Sequence, residues 1–488
     1  MDLKKNDKFT ILFLSFISSL ISYFFVYGYE VTNFTLSIDE EQLDNFRQTL
    51  SLGRWGHALL HHYLLPEPYI PFFTISLAII ILAINASLAA SYLELSKYHS
   101  IAFVITLAAL PQLAYQLEFN NQADTIAISL LLSTLSLCIL QTKNKLKYLF
   151  FVVLTIFSLS IYQSVFLCAA SLLCIKTTIQ ACKDNKDTFS FIRKIIIFCC
   201  LTLVALALNT LFSRLAIHYY EVPNSSYLSS MVGWSRNDIN DVINTIIKSS
   251  RSFINFKAAY GLNAFAFCSV WIVGTFFALK KKNKKTTIPV IFCFVILLST
   301  FSLNIILGAN LPPRAMMQVP FVFAGLYIIF IISCELNRKA VIIPLFFLLN
   351  ASMVSSKLFY SDQMARKADE QLSHLIITKI YSKYPSFDVD KDPVFFYGSY
   401  IPLNPWRIAK ADTFGASFYE WDGGNNARIY NYLAISNIIR FTRPSLAEVE
   451  RSIVNATNMP VWPHSDSILM VDGVVIVKLS NKLSPYNR

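Results

Sequence analysis

From the N-terminus to about residue 356, long apolar runs alternate with short polar loops, and beyond that point the rhythm stops. Runs at 9–29, 70–92, 101–116, 123–141, 195–213, 261–279, 286–307, 318–335 and 340–356 reach, or nearly reach, the length needed to span a bilayer, about 20 helical residues for a hydrocarbon core of roughly 30 Å. The pattern predicts nine membrane-spanning helices. A further apolar stretch, 148–175, is flanked by Lys143, Lys145 and Lys147 on one side and by Lys176, Lys183, Lys186, Arg193 and Lys194 on the other. Both flanks favour the same side of a membrane, yet the stretch is too short for two full crossings. A re-entrant or broken hairpin turning near Ile161-Tyr162-Gln163-Ser164 fits these constraints, with one long tilted helix as the alternative.

After residue 357 the composition is that of a soluble domain, with basic and acidic residues nearly balanced and turn signals such as Asp422-Gly423-Gly424. A helix is expected over 361–383. Strand-like runs follow at 394–398 and 468–480, the second reading as a hairpin turning at Asp472-Gly473. The predicted architecture is a polytopic α-helical membrane protein with a small α+β C-terminal domain, divided into 1–356 and 357–488.

Composition agrees: of 488 residues 55% are hydrophobic and only 15% charged. The net charge of +12 raises nucleic acid as a partner, but the basic residues sit in short clusters between apolar runs, so no nucleic-acid role is expected. Those clusters set topology instead. Lys4, Lys5 and Lys8, the groups flanking 148–175 and the lysines of 280–285 belong on one side, whereas loop 30–69 carries only Arg47 and Arg54. The positive-inside rule makes the N-terminus cytoplasmic and places loop 30–69, loop 214–260, the 308–314 loop and the C-terminal domain outside. Phe9–Tyr29 is long enough to span and lacks an Ala-x-Ala exit, so it reads as a retained helix and not a cleaved signal. The nine cysteines show no Cys-x-x-Cys spacing and no disulfide framework.

Candidate chemistry begins just after the first apolar run, where Asp39, Glu40, Glu41 and Asp44 cluster. Ser37 followed by Glu40 has the capping-box spacing, which would put the acids in the first turn of a helix with a Leu43, Phe46, Leu50 stripe and require no function of them. Carboxylates held close to a membrane surface also suit a general base, with Glu40 and Asp44 on one helical face. The next segment joins Arg54 and Trp55 to His57, His61 and His62. His57 and His61 have i, i+4 zinc spacing but no evident third ligand, so an amphipathic helix at the interface, anchored by Trp55 and Tyr63, is preferred. Arg314, alone in an outer loop, suits a phosphate or acts as a snorkelling anchor. Lys478, in an otherwise apolar strand, must reach solvent, a carboxylate or an anion, an exposed edge strand being the plainest case. Asp388-Val389-Asp390-Lys391-Asp392 lacks the glycine and glutamate of a calcium loop. Asn120, Asn121, Gln122 and Asp124 form a short polar loop of the kind that suits a sugar and is common elsewhere.

The acidic outer loop 37–56, the nine spans with a re-entrant segment, and a C-terminal domain ending in a Val-Val-Ile-Val-Lys-Leu-Ser strand together resemble the type II glucosyltransferases of serotype-converting bacteriophages, which modify O-antigen. The resemblance covers essentially the whole chain and implies the GT-C glycosyltransferase architecture, a polyprenyl-phosphate sugar as donor and a catalytic acid in the first outer loop. Here that acid is matched by Asp39, Glu40 and Glu41, of which Glu40 is preferred. The implied reaction moves glucose from undecaprenyl-phosphate glucose to a rhamnose hydroxyl of lipid-linked O-antigen on the periplasmic face of the bacterial inner membrane, converting serotype. Partners implied are membrane lipid, a donor flippase and a donor-synthesising glucosyltransferase. Arg54, Arg314 and Lys478 are candidates for the lipid phosphate, with Asp44 a substrate contact. No cofactor and no metal are expected, and activity should survive EDTA. A flippase or transporter for lipid-linked sugar would show paired broken helices, and an O-antigen polymerase would not account for the folded tail and acidic loop.

Overall fold

The structure is a computed structural model. It describes residues 2–42, 44–183, 188–223, 225, 231–255, 260–282 and 286–487. Leu43 of the expected stripe, Lys186 and the 283–285 part of the lysine loop lie outside the described residues.

The chain forms two compact units. One comprises Met1–Phe34 with Asp44–Ser356, the other Thr35–Leu43 with Lys357–Arg488. The acidic loop therefore belongs with the C-terminal residues and not with the apolar helices that flank it in sequence.

The first unit is helical. Its helices are α1 (Asp2–Thr32), α2 (Asn45–Ser51), α3 (Trp55–Tyr63), α4 (Phe73–Tyr92), α5 (Lys97–Ala108), α6 (Ala114–Leu117), α7 (Ala123–Leu140), α8 (Lys147–Ile161), α9 (Phe166–Lys183), α10 (Thr188–Tyr219), α11 (Ile239–Ile254), α12 (Ala264–Lys281), α13 (Thr287–Leu298), α14 (Ser302–Leu307), α15 (Val319–Ser333) and the start of α16 (Ile342–Lys383). Among the described residues nine helical segments are long and apolar enough to cross a membrane. They differ from the expected set: Gln163–Lys183 qualifies, whereas Val319–Ser333 is shorter. The expected 101–116 run is broken at Pro111, whose ring cannot donate the backbone bond that would continue α5. The 148–175 stretch is two helices that break at Tyr162 (φ −147°, ψ 112°), where a hairpin turn was expected.

Residues 340–383 correct the sequence expectation of a span followed by a separate helix. They form one helix after a short lead-in, because nothing at the 356/357 composition change interrupts the backbone. Only the side-chain pattern changes: exposed Ile342, Leu345, Phe346 and Leu349 give way to buried Ala365, Leu372, Ile376 and Ile380 at helical spacing.

In the second unit β1 (Val394–Tyr397) pairs in parallel with β3 (Val474–Lys478), which pairs antiparallel with β2 (Ile468–Val471). The β2–β3 turn falls on Asp472 (φ 51°) and Gly473 (φ 78°), the two positive-φ positions that a primed hairpin turn needs. Both faces of the sheet are covered. Val394, Phe396, Val475 and Val477 pack with Leu372, Ile376 and Ile380 of α16 and with Ile429 and Leu433 of α17 (Asn426–Ile435), and Ile38 of the acidic loop joins that core. Phe395, Val474 and Ile476 pack with Ala456 of α18 (Leu446–Ala456), whose Ser445 and Glu448 form a capping box.

Candidate active site

In the second unit the acidic cluster forms a turn, not a helix. Helix α2 starts only at Asn45, with Asp44 as its N-cap accepting from Arg47 N at 2.9 Å. Half of the expected capping box survives: Glu40 Oε2 accepts from Ser37 N at 2.7 Å, while the Ser37 hydroxyl donates to Asp362 of α16 at 2.9 Å. Asp39 takes φ +80°. Arg428 of α17 binds Asp39 at 2.9 Å, Glu41 at 2.5 Å and Asp422 at 2.6 Å. Glu41 is fully buried, and its burial pushes the carboxyl above its ordinary value against the pull of Arg428. Glu40 is also buried, leaving Asp39 the most exposed of the three.

Lys478 lies on the central strand and is 2% exposed, which corrects the edge-strand expectation. It falls on the face toward α18, and its Nζ donates to the carbonyls of Thr457 (3.0 Å) and Met459 (2.7 Å) at the end of that helix. A cation there satisfies carbonyls that a helix end leaves open.

In the first unit, α3 is no plain interface helix. Tyr63 is exposed, but Gly56 meets α8 so closely that a β-carbon there would lie 1.9 Å from Ser160 Oγ, and His57 and His61 are each 2% exposed. Trp55 Nε1 donates to Asn209 of α10 at 3.0 Å. His57 Nδ1 lies 2.8 Å from Thr125 Oγ1, and His61 pairs through Nε2 with buried Asp124 at 3.3 Å and through Nδ1 with the Pro66 carbonyl at 2.6 Å. Burial opposes a charge on His61, but the bond and charge of Asp124 outweigh it and raise its pKa. Burial holds His57 well below its ordinary value, and the positive charges of His61 and Arg54 add to this. No three His, Cys, Asp or Glu residues converge as a metal site among the described residues.

Arg54 and Arg314 belong to one polar network. Arg54 Nη1 donates to Gln122 at 3.1 Å and its guanidinium lies 4.9 Å from the Tyr162 ring centre, at the break between α8 and α9. Gln116 Nε2 reaches Tyr162 Oη at 3.1 Å and the Arg314 carbonyl at 2.6 Å, and the Arg314 guanidinium lies 5.0 Å from the Phe119 ring centre. Nearby in sequence, Glu118, Asn120 and Asp124 are buried, and Asn120 Nδ2 donates to buried Glu30 at 3.2 Å. Sequence reasoning passed over Glu30, Gln116, Glu118 and Thr125. The available signal was the density of polar residues between 116 and 125, too many for a segment that the fold buries without pairing them.

The sequence model of the Glucosyl transferase GtrII family matches residues 28–332, well over half of the chain. The chain belongs to that family. It is a glycosyltransferase, a GtrII-type glucosyltransferase acting on a sugar donor and an acceptor. The match takes in loop 30–69 and Arg314 and leaves Lys478 outside. No curated protein and no solved structure matches.

Proposed function

We propose that this glucosyltransferase moves glucose from undecaprenyl-phosphate glucose to a rhamnose hydroxyl of lipid-linked O-antigen, at the periplasmic face of the inner membrane of a phage-converted bacterium, and so changes serotype. The observation that carries the reading is the family match, which includes the acidic loop and both network arginines. Apolar helices of spanning length support a lipid-linked substrate.

In this reading the C-terminal residues 357–488 lie in the periplasm. Glu40 removes the acceptor proton while the hydroxyl oxygen attacks the anomeric carbon and the bond to the lipid phosphate breaks. Asp39 and Glu41 are engaged by Arg428, and Glu40 accepts from Ser37 N. Arg54 and Arg314 neutralise the departing phosphate, for which a planar guanidinium fork is well shaped. Lys478 and Asp44 support the reading less, since each already serves a helix end. Donor synthesis and flipping fall to other proteins.

The test is O-antigen glucosylation by cells expressing the intact chain or Glu40→Gln, with membrane insertion measured in both. Loss of transfer at normal insertion is expected. Retained transfer removes Glu40 from the chemistry.

A further inference from the structure

Arg54 is the N-cap of α3 and Gln122 is the N-cap of α7, and these two caps bond each other. One turn further into both helices His57 meets Thr125, and a turn further along α3 His61 meets Asp124, the residue before Thr125 in α7. Three polar rungs thus join the same two helices, and the first of them is the guanidinium.

The partners fix the protons. The Pro66 carbonyl only accepts, so His61 Nδ1 carries a hydrogen, and its Nε2 faces a carboxylate that also accepts from Thr125 N at 2.7 Å. When His61 is protonated, the state the Asp124 carboxylate favours, the rung closes as an ion pair. Thr125 Oγ1 donates to the Gln122 carbonyl at 3.0 Å, so it receives from His57 Nδ1, and neutral His57 suits its place between Arg54 and charged His61. Thr125 also ties the second rung to Gln122, the residue that holds Arg54.

The Arg54 guanidinium has five donors, and among the described residues its one hydrogen bond is to a neutral amide. Among the described residues no carboxylate pairs with it. Its place on Tyr162 is therefore set by neutral contacts, by the packing of α3 on α8 through Gly56 and Ser160, and by the side-chain rungs between α3 and α7.

We propose that His57, Thr125, His61 and Asp124 are positioning residues that hold α3 in register with α7, so that Arg54 presents its free N–H groups to the phosphate of the lipid-linked donor. This inference rests on the assignment of Arg54 to that phosphate. None of the four touches the reacting atoms.

The test is steady-state transfer in membrane vesicles, with KM for undecaprenyl-phosphate glucose and for the acceptor measured separately. Arg54→Ala should raise the donor KM about tenfold, the scale of one lost contact to a charged group. Thr125→Val, which cannot receive from His57 or donate to the Gln122 carbonyl, should raise it roughly threefold to tenfold with acceptor KM unchanged, and Thr125→Ser should restore it. In an Arg54→Ala background Thr125→Val should have no further effect, because both act through one guanidinium. If Thr125→Val fails to insert, Gln122→Ala at a partly exposed position breaks the first rung directly and should raise donor KM alone. Independent, additive losses, or a donor KM unmoved by Thr125→Val or by Gln122→Ala while Arg54→Ala raises it, overturn the positioning role alone. A donor KM and a kcat both unmoved by Arg54→Ala overturn the phosphate assignment and the inference with it.

Discussion

Arg428 and Arg54 carry the same side chain in opposite circumstances. Arg428 has a carboxylate on Nη2, Nη1 and Nε in turn, and its side chain is 16% exposed. Arg54 has one amide oxygen and the face of a tyrosine. The charge of Arg428 is taken up by the fold, and it fastens Asp39 and Glu41 of the loop to Asp422 and α17. Among the described residues the charge of Arg54 is met only by neutral groups, and that is the condition in which a guanidinium binds an incoming anion. In both cases the partners decide what the arginine is for, and the residue type alone does not.

Removing each arginine should break the two regions differently. Arg428→Ala leaves buried Glu41 without its cation, and breaking a buried pair in this way typically costs about 3–5 kcal/mol. The C-terminal unit should unfold at lower temperature and become protease-sensitive, and Arg428→Lys should recover only part, since one ammonium cannot reproduce a three-sided fork. Thermal unfolding and limited proteolysis read this. Unchanged melting would mean that the three carboxylates have other support. Arg54→Ala should instead lower transfer by about 10- to 100-fold, toward the loss seen when one charge-stabilising donor is removed from an active site, with little change in melting. An Arg54→Ala protein that melts early but transfers normally would reverse the comparison.

The comparison also marks what the sequence makes legible. Helical spans follow from runs of apolar residues, and the β2–β3 hairpin follows from Asp472-Gly473, because both signals are local. The acidic cluster is equally visible as chemistry, but its cation is 387 residues away, so neither the turn it adopts nor the membership of Thr35–Leu43 in the C-terminal unit can be read locally. His57 and His61 display a helix-face spacing shared by zinc ligands and interface helices. What separates these options is Thr125 and Asp124, which look like ordinary polar residues until the side chains of His57 and His61 reach them. The continuous α16 was hidden for a different reason: a change of composition at residue 357 resembles a boundary, although the backbone has no cause to break there.

Lys478 supplies a smaller contrast with Arg54, a cation whose partners are carbonyls of its own unit. Lys478→Met keeps most of the stem and removes two charged hydrogen bonds to the end of α18. The cost should be about 1–3 kcal/mol in the C-terminal unit, seen as a lower melting temperature. Transfer per folded molecule should stay close to normal. A large loss of transfer with unchanged melting would return Lys478 to the substrate.

The finest distinction concerns the proton of the His61–Asp124 rung, which has no counterpart in a guanidinium fork. His61 has a folded pKa raised above its unfolded value of about 6.5 by the Asp124 carboxylate, with Pro66 and Glu67 adding to the effect. A histidine raised in this way contributes its full stabilisation below the unfolded pKa and loses it as pH rises through the folded one. Melting of the helical unit should therefore decline as pH is raised above about 6.5 and through the folded pKa. Asp124→Asn should flatten that decline, since a neutral His61 can accept from the amide and the rung no longer depends on the proton. The pH dependence of the C-terminal unit, fastened by Arg428, should be the same in wild type and Asp124→Asn. If wild type and Asp124→Asn lost stability in parallel, the rung would not be held by an imidazolium, and the contrast between the two arginines would reduce to their partners alone.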